Sequence, residues 1–137
     1  MNREFIPYEE ALALKELGFL ENVFGCYFLF KGEDEKPFLC FDDDQYHIEK
    51  DNPDMVERLP TPLYQQAFRW FRDKHKLTGH VIPCVWIEDY FCFDILTIEE
   101  DGFLEIKYEG IAKDSRPTYE EAELACLRKL IEIVKDK

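Results

Sequence analysis

The sequence of 137 residues predicts an α+β fold, with helices packed on one face of an antiparallel sheet of about five strands. Three observations lead to this class. Apolar residues recur at helical spacing in three segments, aromatic and β-branched runs bounded by turn residues predict strands, and the segments follow the order αββαβββα. An antiparallel sheet with helices on one side is the natural packing for that order.

The predicted helices are 7–17, 61–76 and 118–134, and the predicted strands are 24–31, 37–42, 80–87, 90–99 and 103–109. Hydrophobic residues make up 46% of the chain, enough for one core, and no linker interrupts it. We therefore predict a single domain over residues 1–137.

In the first half, Pro7 lies near the first turn of helix 7–17 and Gly18 follows its end, as is typical of helix boundaries. The strands 24–31 and 37–42 are predicted to form a hairpin. Residues 42–60 are polar and acidic and contain two prolines. They predict a long irregular stretch, with a short strand at 45–49 as an alternative for part of it.

In the second half, Thr61 and Pro62 are predicted as the N-cap and first residue of helix 61–76. Pro83 predicts that its strand lies at an edge or is bulged, since proline cannot donate a ladder hydrogen bond. The pair Asp101 and Gly102 predicts a type I′ hairpin turn. The core face of helix 61–76 is predicted to comprise Tyr64, Ala67, Phe68, Phe71 and His75.

The last helix begins with a predicted capping box, in which Thr118 precedes Glu121 by three residues. The apolar stripe of this helix is predicted to be Ala122, Cys126, Leu130 and Ile133, widened by Leu127 and Val134.

The charge of the chain is −13, yet residues 61–80 contain four basic residues and one acid. An acidic protein repels polyanions, so nucleic acid is an unfavoured partner. The five cysteines are scattered in apolar runs and predict free thiols in a reducing compartment. The absence of an apolar leader or of an apolar run of membrane length leads us to expect a cytoplasmic protein without a membrane partner.

Candidate sites for chemistry are few. Asp42 and Asp44 match two positions of a calcium loop, but the loop glycine is missing, and His47 lacks a third ligand beside it. The histidines His75 and His80 with Cys84 are too loosely spaced for zinc, and His75 is expected to be a cation at a helix end. We predict no metal, no cofactor and no catalytic residue.

Asp94 interrupts an aromatic run and is predicted to share a strand face with Cys92 and Leu96. Two interpretations remain open for it. Either that face is exposed to solvent, or Asp94 is a buried acid with a raised pKa.

Helix 61–76 carries the strongest candidate binding surface. Arg69, Arg72 and Lys76 are spaced to form one basic ridge, with Lys74 to one side, and Trp70 flanks the core stripe of the same helix. Three interpretations of this ridge are open: neighbouring acids neutralise it, it contacts another protein, or it contacts nucleic acid. The negative charge of the surrounding surface disfavours nucleic acid. Trp and Arg are preferred anchors of protein interfaces, although Trp70 contributes only if it is exposed.

Three blocks, IPYEEALALKELGF, PLYQQAFRWFRDKHKL and TYEEAELACLRKLIEIVK, resemble a family of small acidic proteins encoded in phages and prophage regions of gut bacteria. Together they cover 48 of the 137 residues. The resemblance implies a product of a mobile element acting in a bacterial cytoplasm. It carries no activity or site residue.

The sequence therefore predicts a non-enzymatic, phage- or prophage-type accessory protein that binds a host or phage protein through Arg69, Trp70, Arg72 and Lys76. In a variant of this hypothesis, the acidic surface mimics nucleic acid. The alternative is a small-molecule-binding or catalytic domain with a pocket between sheet and helices, using Asp94, His80 or a cysteine. The sequence does not predict the oligomeric state.

Overall fold

The computed structural model describes residues 4–30, 36–41, 55–85, 87–110 and 115–137 and confirms the α+β class. Its elements are α1 (Tyr8–Glu16), β1 (Gly25–Phe30), β2 (Phe38–Phe41), β3 (Met55–Thr61), α2 (Tyr64–His75), β4 (Leu77–Pro83), β5 (Phe91–Ile98), β6 (Leu104–Glu109) and α3 (Tyr119–Lys135). No helix within the described residues is long and apolar enough to cross a membrane.

The prediction of one sheet of about five strands is wrong. Over the described residues the strands form two three-stranded antiparallel sheets, in the orders β2-β1-β3 and β4-β5-β6. The chain divides accordingly into two compact units, Met1–Tyr64 and Gln65–Lys137, and each is described by itself. That residues 1–137 form a single domain stays a prediction.

The first unit contains the predicted hairpin, in which β1 pairs with β2 from Gly25↔Phe41 to Phe28↔Phe38. The strand β1 also pairs with β3 on its other side, so it is the central strand of its sheet. Gly25 is required at the start of β1, because a Cβ there would lie 2.5 Å from the buried ring of Phe5.

Two predictions fail at β3. Residues 55–61 were predicted to lie partly in an irregular stretch, yet they form a strand, while residues 42–54 lie outside the described part of the chain. Pro60 lies within β3 and not in a loop, because β3 is an edge strand, where a missing N–H is tolerated.

Thr61 is not the N-cap of the second helix. It is the last residue of β3 and is fully buried, and its hydroxyl donates to the carbonyl oxygen of Ile6 at 3.0 Å. The same carbonyl accepts from the hydroxyl of Tyr27 at 3.0 Å, and the N–H of Ile6 donates to Pro62 at 3.1 Å. The hydroxyl thus joins the N-terminal segment to the sheet, and α2 begins three residues later, at Tyr64.

In the second unit, both α2 and α3 cover one face of the sheet β4-β5-β6, which we call the helix-covered face. A Cβ placed on Gly79 of β4 would lie 2.8 Å from Cys126 and 3.2 Å from Leu130 of α3, and 3.1 Å from Phe68 of α2. Because side chains alternate along a strand, Val81 of β4 lies on the same face as Gly79, and so does its partner in β5, Phe93. The opposite face of the sheet is called the open face.

The local signals of the second unit have mixed outcomes. The strand β4 lies at an edge of the sheet, as Pro83 predicts, but it spans Leu77–Pro83 and not 80–87. Thr118 is the N-cap of α3, and its hydroxyl accepts from the N–H of Glu121 at 3.1 Å, as predicted. The β5–β6 hairpin is confirmed but its turn is not type I′, because Gly102 has a positive φ (85°) and Asp101 does not.

Candidate functional site

The residues predicted to form the binding surface of α2 occupy three different environments: the exposed helix surface, the core, and the segment after the end of the helix. Arg69 and Arg72 are exposed, whereas Trp70 is only 5% exposed. The ring of Trp70 packs edge-on against Phe71 at 5.0 Å and against His75 at 4.8 Å between centroids. Trp70 is therefore a core residue and is withdrawn as a surface anchor.

Lys76 does not continue the ridge. It follows the end of α2 with a φ of 59°, in the left-handed region, so the helical spacing from Arg69 no longer holds. Its ammonium donates to the carbonyl oxygen of Asp73 at 3.1 Å, near the end of the helix, where cations are favoured. The binding role predicted for Lys76 stays a prediction, separate from that of the two arginines.

Arg69 and Arg72 line one wall of a groove of about 360 Å³ within the second unit. Phe68, Gly79 and Val81 contribute apolar surface to it. Tyr119 and Glu123, from the first turns of α3, line it as well. The remaining lining residues are Gln65 and Gln66 of α2. The groove therefore combines apolar surface with guanidinium groups, an arrangement suited to an amphipathic ligand.

The arginines of the groove are weakly neutralised. Arg72 lies 3.6 Å from the carboxylate of its exposed sequence neighbour Asp73, a type of pair that contributes little. Among the described residues, Arg69 makes no ion pair. The interpretation that neighbouring acids neutralise the ridge thus holds for Arg72 in part, and the described residues give it no support at Arg69.

Glu123 contributes a carboxyl group to the groove. Burial, and next the nearby Glu120, raise the pKa of Glu123 above its usual value. Burial also raises the pKa of Tyr119, with Glu123 adding to the effect, so the phenol remains a hydrogen-bond donor at neutral pH. Among the described residues, Glu123 forms no ion pair with Arg69 or Arg72, so no salt bridge closes the groove.

Two further grooves differ from this one. The first, of about 420 Å³, lies between α3 and the sheet and is lined by three cations, Arg116, Arg128 and Lys129. Lys129 is bound to Glu132 at 3.0 Å and lies 4.9 Å from the centre of the Tyr108 ring. The second, of about 490 Å³, belongs to the first unit and includes Lys15 and Arg58. Asp94, His80 and the cysteines, which the catalytic alternative required, line none of these three grooves.

Asp94 shares its face with Cys92 and Leu96, as predicted, because these residues alternate along β5. Neither interpretation of its environment describes it fully. The residue is half-buried, and one carboxylate oxygen is buried without a hydrogen-bond partner among the described residues.

The cysteines are free thiols, and all but the half-buried Cys84 are buried. Burial raises the pKa of Cys92 to about 11 and that of Cys126 to about 12. Because the thiolate is the nucleophile, both groups are unreactive at neutral pH. No cluster of three or more potential ligands within the described residues is arranged to hold a metal ion, and Asp42, Asp44 and His47 lie outside that part of the chain.

His75 differs from its prediction as a cation at the helix end. Burial, and then the charges of Lys137 and Lys74, lower the pKa of His75, and its Nε2 is buried without a hydrogen-bond partner in the described part of the chain. The neutral imidazole therefore packs on Trp70. Helical spacing alone could not reveal this, because it places His75 on the core stripe without showing what covers it.

The chain matches no protein-family model, no curated protein and no solved structure.

Proposed function

We propose that this protein is a non-enzymatic binding module that takes an acidic segment of a partner protein into the groove between α2 and α3. One observation carries the proposal. Arg69 and Arg72 line an open, partly apolar groove, and Arg69 has no ion-pair partner among the described residues.

The electrostatics of the groove favour a ligand that brings its own carboxylates. A guanidinium binds a carboxylate with two parallel hydrogen bonds, and such pairs strengthen when a ligand excludes water. The apolar surface of Phe68 and Val81 would take an apolar side chain next to that carboxylate. Nucleic acid is a poorer candidate, because its continuous row of phosphates would extend past the two arginines over a chain of charge −13, whereas a short acidic segment brings only a few carboxylates to them.

The biological setting belongs to the same proposal. The resemblance to small acidic phage and prophage proteins supports a bacterial cytoplasm, with a host or phage protein as the partner. An accessory protein of this kind needs a binding surface and no reaction centre.

The test is co-purification of the tagged protein from bacterial cells, followed by calorimetry with each purified partner. We expect Arg69→Glu/Arg72→Glu to weaken binding by about tenfold or more, because it reverses both charges of the groove. The control Lys74→Glu/Lys135→Glu changes the net charge equally at exposed positions that do not line the groove.

Circular dichroism would first establish that both variants fold. Loss of the partner with the arginine variant alone supports the proposal. Equal loss with both variants would mean that overall charge governs binding, and retention with both would place the interface elsewhere; either result would overturn the assignment of the groove.

A further inference from the structure

The open face of the second unit's sheet carries an apolar patch, which we define as Leu96, Ile98, Leu104 and Ile106. The register pairs Ile98 with Leu104 and Leu96 with Ile106, so the four side chains are neighbours on two adjacent strands. Ile98, Leu104 and Ile106 are 67%, 61% and 57% exposed. A contiguous exposed apolar surface of this kind is typical of an interaction site.

The charges around the apolar patch are acidic. Asp94 and Glu109 lie on the same face and are paired across β5 and β6, although like charges placed opposite each other destabilise a sheet. The hairpin turn adds Glu100 and Asp101. The only lysine or arginine in these three strands is Lys107, whose ammonium is bound by Glu105 at 3.0 Å.

The edge of β6 is a poor place for an added strand. The register shifts between Ile95 and Leu96, and such irregularities, together with edge charges like Lys107, oppose strand addition. A second copy of the chain is also disfavoured on the open face, since it would bring acid against acid in a protein of charge −13.

We infer that the apolar patch docks a basic amphipathic segment of another protein. Apolar side chains of that segment cover Ile98, Leu104 and Ile106, while its lysines or arginines reach Asp94 and Glu109. A cation near these two carboxylates is attracted to both of them. This surface is separate from the groove that contains Arg69 and Arg72, which belongs to the helix-covered side.

The probe is a fluorescent peptide of roughly 18 residues, about five helical turns, with leucines on one face and lysines on the other. Anisotropy titrations use the full chain at about 0.15 M salt, which screens non-specific attraction. We expect Leu104→Ser/Ile106→Ser to raise the Kd of the peptide about tenfold or more. Val85→Ser/Ile87→Ser is the matched control, at exposed positions beside the other end of β5, and its Kd is expected to change less than about twofold.

A charge test complements the apolar one. Glu109→Lys is expected to raise the Kd several-fold, whereas Glu88→Lys, at an exposed acid in the turn before β5, leaves it nearly unchanged. Arg69→Glu/Arg72→Glu keeps the patch intact, so the peptide must still bind at least as tightly as before.

Two results would overturn the inference. If Leu104→Ser/Ile106→Ser binds the peptide as tightly as the unchanged protein, the attraction is electrostatic only and the patch is no docking site. If light scattering shows a dimer that the same variant converts to a monomer, the patch is occupied by a second copy instead.

Discussion

The two faces of the sheet β4-β5-β6 are built from similar side chains and meet different surroundings. On the helix-covered face, Leu77, Phe93 and Ile95 are at most 1% exposed. On the open face, Ile98, Leu104 and Ile106 are more than half exposed. A strand with one solvated face normally alternates apolar and polar residues, yet β5 is largely apolar on both faces.

The difference teaches that composition does not identify the face that a sheet buries. Either face of β5 is apolar enough to be buried in a core, yet the helices cover only one of them. The exposed apolar side chains lose hydrophobic stabilisation that the buried ones have, at roughly 25 cal/mol for each Å² left in water. A surface of that kind makes physical sense when a partner covers it.

The two faces are best compared by making the same substitution, isoleucine to alanine, on each face and measuring the free energy of unfolding. We expect Ile95→Ala on the helix-covered face to lower the free energy of unfolding by about 2–5 kcal/mol, because it leaves a cavity. Ile106→Ala on the open face should change it by less than about 0.5 kcal/mol. Urea denaturation measures both, and equal losses would mean that the open face is covered in solution.

A smaller effect is expected when the close packing of the helix-covered face is tested at Gly79. Gly79→Ala places a methyl group 2.8 Å from the sulfur of Cys126, and overpacking of this kind costs about 1–3 kcal/mol. At an unobstructed site the same change would stabilise by about 0.4–1 kcal/mol through the unfolded chain. Urea denaturation would measure the loss.

The double variant Gly79→Ala/Cys126→Ala is the control for the Gly79 prediction. Because Cys126→Ala removes the sulfur, the double variant should lose less stability than the two single losses added together. Strict additivity would refute the close approach of β4 and α3.

The smallest effect concerns Glu123 in the groove of the helix-covered side. Its pKa is raised above 4.5, so the folded state holds the proton to higher pH than the unfolded state does. Stability therefore falls as the pH rises through the interval from 4.5 to the raised value. Glu123→Gln removes this loss. As the pH rises through the interval, the free energy of unfolding of the variant should therefore increase relative to that of the unchanged protein.

Denaturation at several pH values would measure the Glu123 effect, with Glu88→Gln in the turn before β5 as the exposed control. A constant difference between Glu123→Gln and the unchanged protein at all pH values would contradict the raised pKa.

The parts of the fold that the sequence predicts are those that local chemistry decides. The capping of α3 by Thr118 involves residues three positions apart. The hairpin of β1 and β2 likewise joins strands close in sequence. The predicted apolar stripe is confirmed at Ala122, Cys126, Leu127 and Leu130. Near the end of α3 the stripe is wrong, because Ile131 is buried while Ile133 and Val134 are only half-buried. A local signal fails where a distant contact overrides it, as at Thr61, whose hydroxyl donates to Ile6 and does not cap α2.

The rest depends on contacts between distant segments. The pairing of β1 with β3 joins Cys26 to Pro60, and no local signal distinguishes an edge-strand proline from a loop proline. Helical spacing placed Arg69 and Arg72 on one side of α2, but the groove also needs Tyr119 and Glu123, some fifty residues later. The burial of Trp70 is likewise a result of packing that spacing cannot supply.

The hydrogen bonds of Ile6 have a consequence for the synthesis of the protein. This residue near the N-terminus is held by Thr61 and by Pro62, and β1 obtains its second neighbour only from Met55–Thr61. The ribosome must therefore synthesise residues 55–62 before the first unit can close. Until then the aromatic strand β1 has an unpaired edge, a state in which growing chains aggregate or engage chaperones. The strand β1 thus stays incompletely paired until the ribosome has synthesised Met55–Thr61.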